Sequence, residues 1–203
     1  MSIDKFFTET FGGKTYPGET ISAAYGPVTI TAKIEHDYDT REPWKEHDGH
    51  GPVSDWTRRA KNAGEMVLHE NRGVRRYYDF ADAVKIARRD GWNCRETIAL
   101  QEAGQTFTAG EIAHRAAMAN FNRLRAWCND EWSWIGVVVT IECDGVEIGS
   151  ASLWGIESDA GEYLDDVAEE LTYDALDAAA PKIQETVAAL QSALAKVKEL
   201  TGN

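Results

Sequence analysis

The sequence predicts an α+β fold in which helices pack against an antiparallel sheet of three to five strands. The pair Asp144-Gly145 lies between two β-rich runs and is the strongest hairpin signal in the chain, so we predict a 135–153 hairpin. Residues 28–34 alternate apolar and polar side chains, which is typical of a half-buried strand. Apolar residues recur at helical spacing near 80–90, 109–130 and 161–200, and these segments are predicted helices.

Two of these helices have recognisable ends. Asp79 precedes the segment 80–90 and can accept hydrogen bonds from its first free N–H groups, while Gly91 suits its C-terminal end. Thr108 and Glu111 have the spacing of a capping box, in which each side chain bonds the other residue's backbone N–H. The sequence therefore predicts that helices begin at residues 80 and 109.

One further helix is predicted at 55–63, where Ser54 or Asp55 would cap it and Gly64 would end it. The helical last forty residues are predicted to contain a break. Pro181 cannot lie inside a helix without disturbing it, so it is predicted to begin a second C-terminal helix. We therefore expect a single α+β domain over 1–180 and a C-terminal helix over 181–203. That helix packs on the domain or self-associates through a short coiled-coil-like stripe, namely Ile183, Val187, Leu190, Leu194 and Val197.

Composition restricts the classes of function. No apolar run approaches the ~20 residues that span a bilayer, and the first residues lack a secretory pattern, so neither a membrane partner nor export is predicted. The three cysteines Cys94, Cys128 and Cys143 are odd in number and widely spaced, which favours reduced thiols in a cytoplasmic protein. The chain also has no phosphate-binding loop and no nucleophile elbow, so a non-enzymatic role is favoured.

The most informative feature is an acidic stretch. The chain has 21 Lys+Arg and 34 Asp+Glu, a net charge of -13, and residues 126–181 contain fourteen carboxylates without one lysine or arginine. A surface of this charge repels phosphate, so direct binding of nucleic acid through it is not expected. The partner that it favours is a protein with a basic surface.

A helical wheel places the dense part of the acidic stretch on one face, opposite the apolar face. Carboxylates three or four residues apart on a helix lie about 5–6 Å from one another, which is comparable to the spacing of phosphates along a DNA strand. The alternative is that the twelve basic residues of 41–95 neutralise this face within the fold. The predicted partner-binding residues are Glu157, Asp159, Glu162, Asp165, Asp166, Glu169, Glu170, Asp174 and Asp177.

The polar loop 36–50 provides a different hypothesis. It is rich in histidines and carboxylates, and His47, Asp48 and His50 are candidate ligands of a divalent metal such as Zn²⁺, Mn²⁺ or Fe²⁺. A metal there would allow hydrolysis, with Glu46 as the base. The loop matches no motif of defined mechanism, and a hydrogen-bonded surface loop is the alternative, in which case the protein needs no cofactor.

Four segments together resemble a known family. They are PWKEHDGHGPVSDWTRRAKNAGE, RRYYDFADAVKIARRDGW, LRAWCNDEWSWIGVVVT and GSASLWGIESDAGEYLDDVAEEL. The chain resembles, over residues 28–178, small proteins without assigned activity that are encoded by tailed phages and prophages of proteobacteria. The resemblance implies an accessory phage protein that acts in the bacterial cytoplasm, and it transfers no site residue.

Charge pattern and resemblance together predict a non-enzymatic phage protein that binds a host protein through the acidic helical face. It would act as a DNA mimic that antagonises host defence, either restriction or CRISPR. The first alternative is the metal-dependent hydrolase that uses the loop 36–50. The second is a structural or assembly protein that forms a homodimer or larger oligomer through residues 183–197.

Overall fold

The protein has the predicted α+β fold. A computed structural model describes residues 5–201, which form six strands and five helices. In chain order they are β1 (Thr20–Tyr25), β2 (Val28–His36), α1 (Pro43–Glu46), β3 (Glu65–Asn71), β4 (Val74–Asp79), α2 (Phe80–Asp90), α3 (Arg95–Glu102), α4 (Ala109–Cys128), β5 (Trp134–Cys143), β6 (Val146–Glu157) and α5 (Tyr163–Thr201). No helix within 5–201 has the length and apolar character needed to cross a bilayer.

The chain divides into two compact units. One contains the described residues up to Tyr38 and from Ser133 onward, and we call it the sheet unit. The other, residues 39–132, is called the inserted unit because both its neighbours in sequence belong to the sheet unit. The predicted division, a domain over 1–180 and a helix over 181–203, places its boundary elsewhere in the chain. It stays a prediction.

The sheet unit contains a four-stranded antiparallel sheet with the order β1-β2-β5-β6. The predicted hairpin is confirmed, since β5 and β6 pair across Asp144 and Gly145, whose φ angles are 48° and 78°. Positive φ at both central residues matches the twist of paired strands. The two central strands β2 and β5 are far apart in sequence and pair from Val28 with Cys143 to His36 with Ile135.

Helix α5 covers one face of this sheet. Leu164, Val167, Ala168, Leu171 and Ala175 are buried against residues of β2 and β5 in one apolar core. The helix lies so close to β6 at Gly149 that a Cβ there would meet the backbone of Ala175 and the methyl group of Ala179. Glycine is therefore required where helix and strand meet.

The core of the sheet unit also contains the start of the described chain. Phe6, Phe7 and Phe11 are each at most 7% exposed and belong to the same cluster as the sheet residues. Burying a phenylalanine contributes about 1.5–3 kcal/mol. Residues 5–11, called the N-terminal segment below, therefore form part of the fold.

The inserted unit packs helices against a two-stranded sheet of β3 and β4. Its core contains Leu68, Tyr78, Ala83, Phe121 and Leu124, together with other apolar side chains. The predicted helix starts are confirmed. The carboxylate of the residue before α2 accepts from a backbone N–H of its first turn (2.9 Å), and both halves of the capping box at α4 are present.

Two expectations about helices are wrong. Residues 55–63 form no helix, because the chain from 53 to 57 pairs with β4 instead: Val53 bridges Tyr78, and Thr57 exchanges two backbone hydrogen bonds with Arg75 (both 2.8 Å). Pro181 does not begin a second helix but lies inside α5. Alanines before it and good helix formers after it favour one continuous helix despite the missing N–H.

Candidate functional site

Helix α5 positions most of the predicted partner-binding residues, but the structure divides them into three groups. Glu157 ends β6 and is half-buried, and Asp159 lies in the connection before the helix. Neither residue continues the helical spacing of the others. The remaining seven lie at or within the first half of α5.

Two carboxylates of the face hold the N-terminal segment. Glu169 accepts hydrogen bonds from the backbone N–H of Phe6 (2.9 and 3.1 Å to its two oxygens) and of Phe7 (3.2 Å). Asp165 accepts from the N–H of Phe11 (2.8 Å). These N–H groups belong to buried residues and need an acceptor. Asp165 and Glu169 are therefore structural, and only part of the predicted face is available to a partner.

The other five carboxylates form an oblique row, which winds around the helix by about 40° at each step of four residues. They are exposed and spaced by four, four, four and three residues; the acidic row consists of Glu162, Asp166, Glu170, Asp174 and Asp177. From the rise of about 1.5 Å per residue the row is about 22 Å long. Residues three or four apart on a helix are neighbours, so each carboxylate of the row lies beside the next.

The acidic row carries uncompensated charge. Within the described part of the sheet unit none of its five members forms an ion pair. Like charges at this spacing destabilise a helix by about 0.2–0.5 kcal/mol per pair. Repulsion within the row therefore destabilises the helix by roughly 1–2 kcal/mol, summed over four neighbouring pairs. A cationic partner would relieve this repulsion.

The distribution of charge between the units also places the excess negative charge in the sheet unit. The inserted unit has 15 Lys+Arg and 15 Asp+Glu, whereas the sheet unit has the remaining 6 and 19. Seven of the twelve basic residues of 41–95 pair with carboxylates of the inserted unit. The inserted unit is therefore balanced in charge and pairs about half of its basic residues internally, and the excess negative charge belongs to the sheet unit.

The candidate metal ligands have a different arrangement from the one that a metal site needs. No group of three or more His, Cys, Asp or Glu side chains that could hold a metal ion is found among residues 5–201. Asn120 of α4 accepts from Gly51 N (3.0 Å) and the Tyr78 hydroxyl (2.9 Å), so its Nδ2 donates to Nδ1 of His50 (2.7 Å). Burial, together with the nearby His47, lowers the pKa of His50.

This network gives His50 a structural role. A neutral imidazole whose Nδ1 accepts from an amide fixes the loop to α4 and β4. His47 and Asp48 precede it in the same loop and do not complete a ligand set with it. The arrangement gives no support to the metal-dependent hydrolase. Asn120, which no sequence motif distinguishes, is the residue that organises the loop.

The second half of α5 presents an apolar stripe. The apolar seam consists of Ile183, Val187, Leu190, Leu194 and Val197, whose side chains are 45–65% exposed. Every residue from 180 to 201 is exposed. The predicted spacing is therefore present on a helix that the described part of the chain, residues 5–201, leaves uncovered.

Comparison with known proteins adds no assignment. No family model matches the chain, and neither the curated proteins nor the solved structures contain a significant match to it. The resemblance to phage proteins stays a prediction.

Proposed function

We propose that this protein is a non-enzymatic binding protein that uses the acidic row of α5 to occupy a basic surface of another protein. In the phage context that the sequence suggests, the partner is a nucleic-acid-handling host protein in the bacterial cytoplasm. The row would take the place of a nucleic-acid backbone, as in an antagonist of restriction or CRISPR. The single observation that carries the proposal is five exposed carboxylates in helical register, none of which forms an ion pair within the described part of the sheet unit.

Two physical arguments support it. A linear array of fixed charges on a packed helix is preorganised, so little ordering is needed when a basic groove binds it. The partner's cations would also relieve the repulsion within the row, which adds to the binding free energy. Steering by such a field raises association rates and falls steeply with ionic strength.

The test is reversal of the row in capture experiments from host lysate at low and high salt. Asp166→Lys, Glu170→Lys and Asp174→Lys are combined in one variant, which leaves the carboxylates that hold the N-terminal segment intact. We expect the captured partner to be lost from this variant, and the wild type to lose it as salt rises.

The matched control reverses three exposed carboxylates of the sheet unit outside the row: Glu142→Lys, Glu147→Lys and Glu185→Lys. It changes the net charge by the same amount, so general electrostatic attraction would affect both variants equally. Equal loss of binding in the control, or retained binding by the row variant, contradicts the proposal.

A further inference from the structure

The second half of α5 lacks the packing that normally keeps a helix formed. Residues 180–201 are all exposed, although they belong to a continuous helix. Helices in proteins owe most of their stability to tertiary packing of an apolar face, and isolated ones are marginal in water. The apolar seam is the face that such packing would cover, so the helix requires an occupant for it.

The spacing of the seam identifies the kind of occupant. Its members follow one another by four, three, four and three residues, which is the repeat that supercoils two helices around each other. The flanking positions Gln184, Thr186, Gln191 and Ala193 are uncharged. Charged flanks set partner choice and orientation in coiled coils, and because these four flanks are uncharged, two copies of the seam can meet without repulsion.

Charge also selects the orientation. The sheet unit has 19 carboxylates against 6 basic residues. Parallel helices would bring the sheet units of both copies to the same end of the pair. In an antiparallel pair centred between Val187 and Leu190, the two Asp177 residues are about 35 Å apart along the axis, well beyond the screening length of about 8 Å at physiological salt.

An antiparallel pair also matches opposite charges. Asp177 and Lys198 are 21 residues apart, which is three whole repeats of seven, and so flank the stripe on the same side, although Leu176 before Asp177 packs against the sheet unit's own core. Equivalent flanks face each other when two such helices run in opposite directions. Lys198 of one copy therefore approaches Asp177 of the other. We propose that the protein forms an antiparallel homodimer through the apolar seam.

The stoichiometry is tested by light scattering on the full chain. We expect twice the monomer mass for the wild type, and the monomer mass for Leu190→Glu combined with Leu194→Glu. Ser192→Glu, on the opposite side of the same helix, is the matched control and keeps the dimer. Because all three residues are exposed, the variants retain the fold, and circular dichroism of the sheet signal checks this. A monomeric wild type, or a control that dissociates equally, overturns the proposal.

The orientation is tested by zero-length carbodiimide coupling, which joins an amine only to a carboxylate in contact with it. Lys198 and Asp177 of one helix are about 30 Å apart, so a product that joins them must connect two copies. We expect this product in a mixture of light and heavy-isotope protein, as mixed-isotope peptides. Dimers that give no coupling between these residues would overturn the antiparallel arrangement.

The dimer and the acidic row can fail separately. Reversing Asp166, Glu170 and Asp174 leaves the seam unchanged, so that variant is expected to remain dimeric even where capture of a partner is lost. The Leu190 and Leu194 variant keeps the row, and its binding of a single basic partner is expected to persist.

Discussion

The carboxylate of Glu169 offers the sharpest test of the fold around the site, through the variant Glu169→Ala. The carboxylate accepts from two backbone N–H groups whose residues, Phe6 and Phe7, are 6% and 5% exposed. A hydrogen bond to a charged group contributes about 1.5–3 kcal/mol. The N-terminal segment can detach instead of leaving both donors unpaired, which limits the loss to about 2–3 kcal/mol.

The matched control is Glu170→Ala, because Glu170 is exposed, belongs to the acidic row and bonds nothing in the N-terminal segment. Both variants gain the same helix propensity. In a thermal melt we expect Glu169→Ala to lower the midpoint by about 4–12 °C, and Glu170→Ala to leave it unchanged or slightly raised. Trypsin should also cleave at Lys14 faster in Glu169→Ala alone. Equal midpoints for the two variants would refute the division of the face into structural and free carboxylates.

Three further perturbations follow from the contacts. Gly149→Ala places a methyl group against α5 and is expected to reduce the free energy of unfolding by about 1–3 kcal/mol, measured in urea, whereas Gly13→Ala, where a Cβ meets nothing within 4 Å, is neutral. The hydrogen-bonded guanidinium beside Glu65 lowers the pKa of the Glu65 carboxyl to about 2 from 4.5. The stability that this pair contributes is present above pH 4.5 and is lost as the pH falls toward 2. Glu65→Gln should remove that part of the pH dependence of stability. Asn120→Ala removes one hydrogen bond from each of three polar groups, of which only the Tyr78 hydroxyl keeps a second partner among the described residues, the Ala117 carbonyl (3.3 Å), and should lower stability by about 2 kcal/mol or more. Asn122→Ala, exposed on the same helix, should not change stability in the same denaturation experiment.

Local signals in the sequence were sufficient for the elements that depend on local chemistry. The turn at Asp144, the capping box at Thr108 and the end of α2 at Gly91 each rest on residues next to one another in the chain, and all three are confirmed. The helix predicted at 55–63 was wrong because the backbone partners of this segment lie in β4, which no local pattern reveals. The helix start predicted at Pro181 was wrong because the intrinsic helix preference of its neighbours outweighs the loss of one hydrogen bond.

The candidate site was predictable in outline only. The helical wheel correctly placed the carboxylates opposite the apolar face of α5, since that face depends only on helical periodicity. It could not distinguish Glu169 from Glu170, because the difference lies in a chain segment more than 150 residues away. The same limitation applied to His50, whose partner Asn120 is 70 residues distant.

The pairing of β2 with β5 has a consequence for the modular construction of the protein. His36 is paired with Ile135, and the N–H of Asp37 donates to the carbonyl of Trp134 (3.2 Å). The two points at which the chain leaves and re-enters the sheet unit are therefore adjacent. In the sheet, β2 and β5 are thus the two arms of a hairpin whose connection happens to be a whole folded unit. Because loop closure costs only about 0.6 kcal/mol for each doubling of length, the sheet imposes little constraint on what fills that connection. The inserted unit should therefore be replaceable. A short turn, a different domain or a reporter could connect β2 to β5 while the acidic row and the apolar seam stay in place.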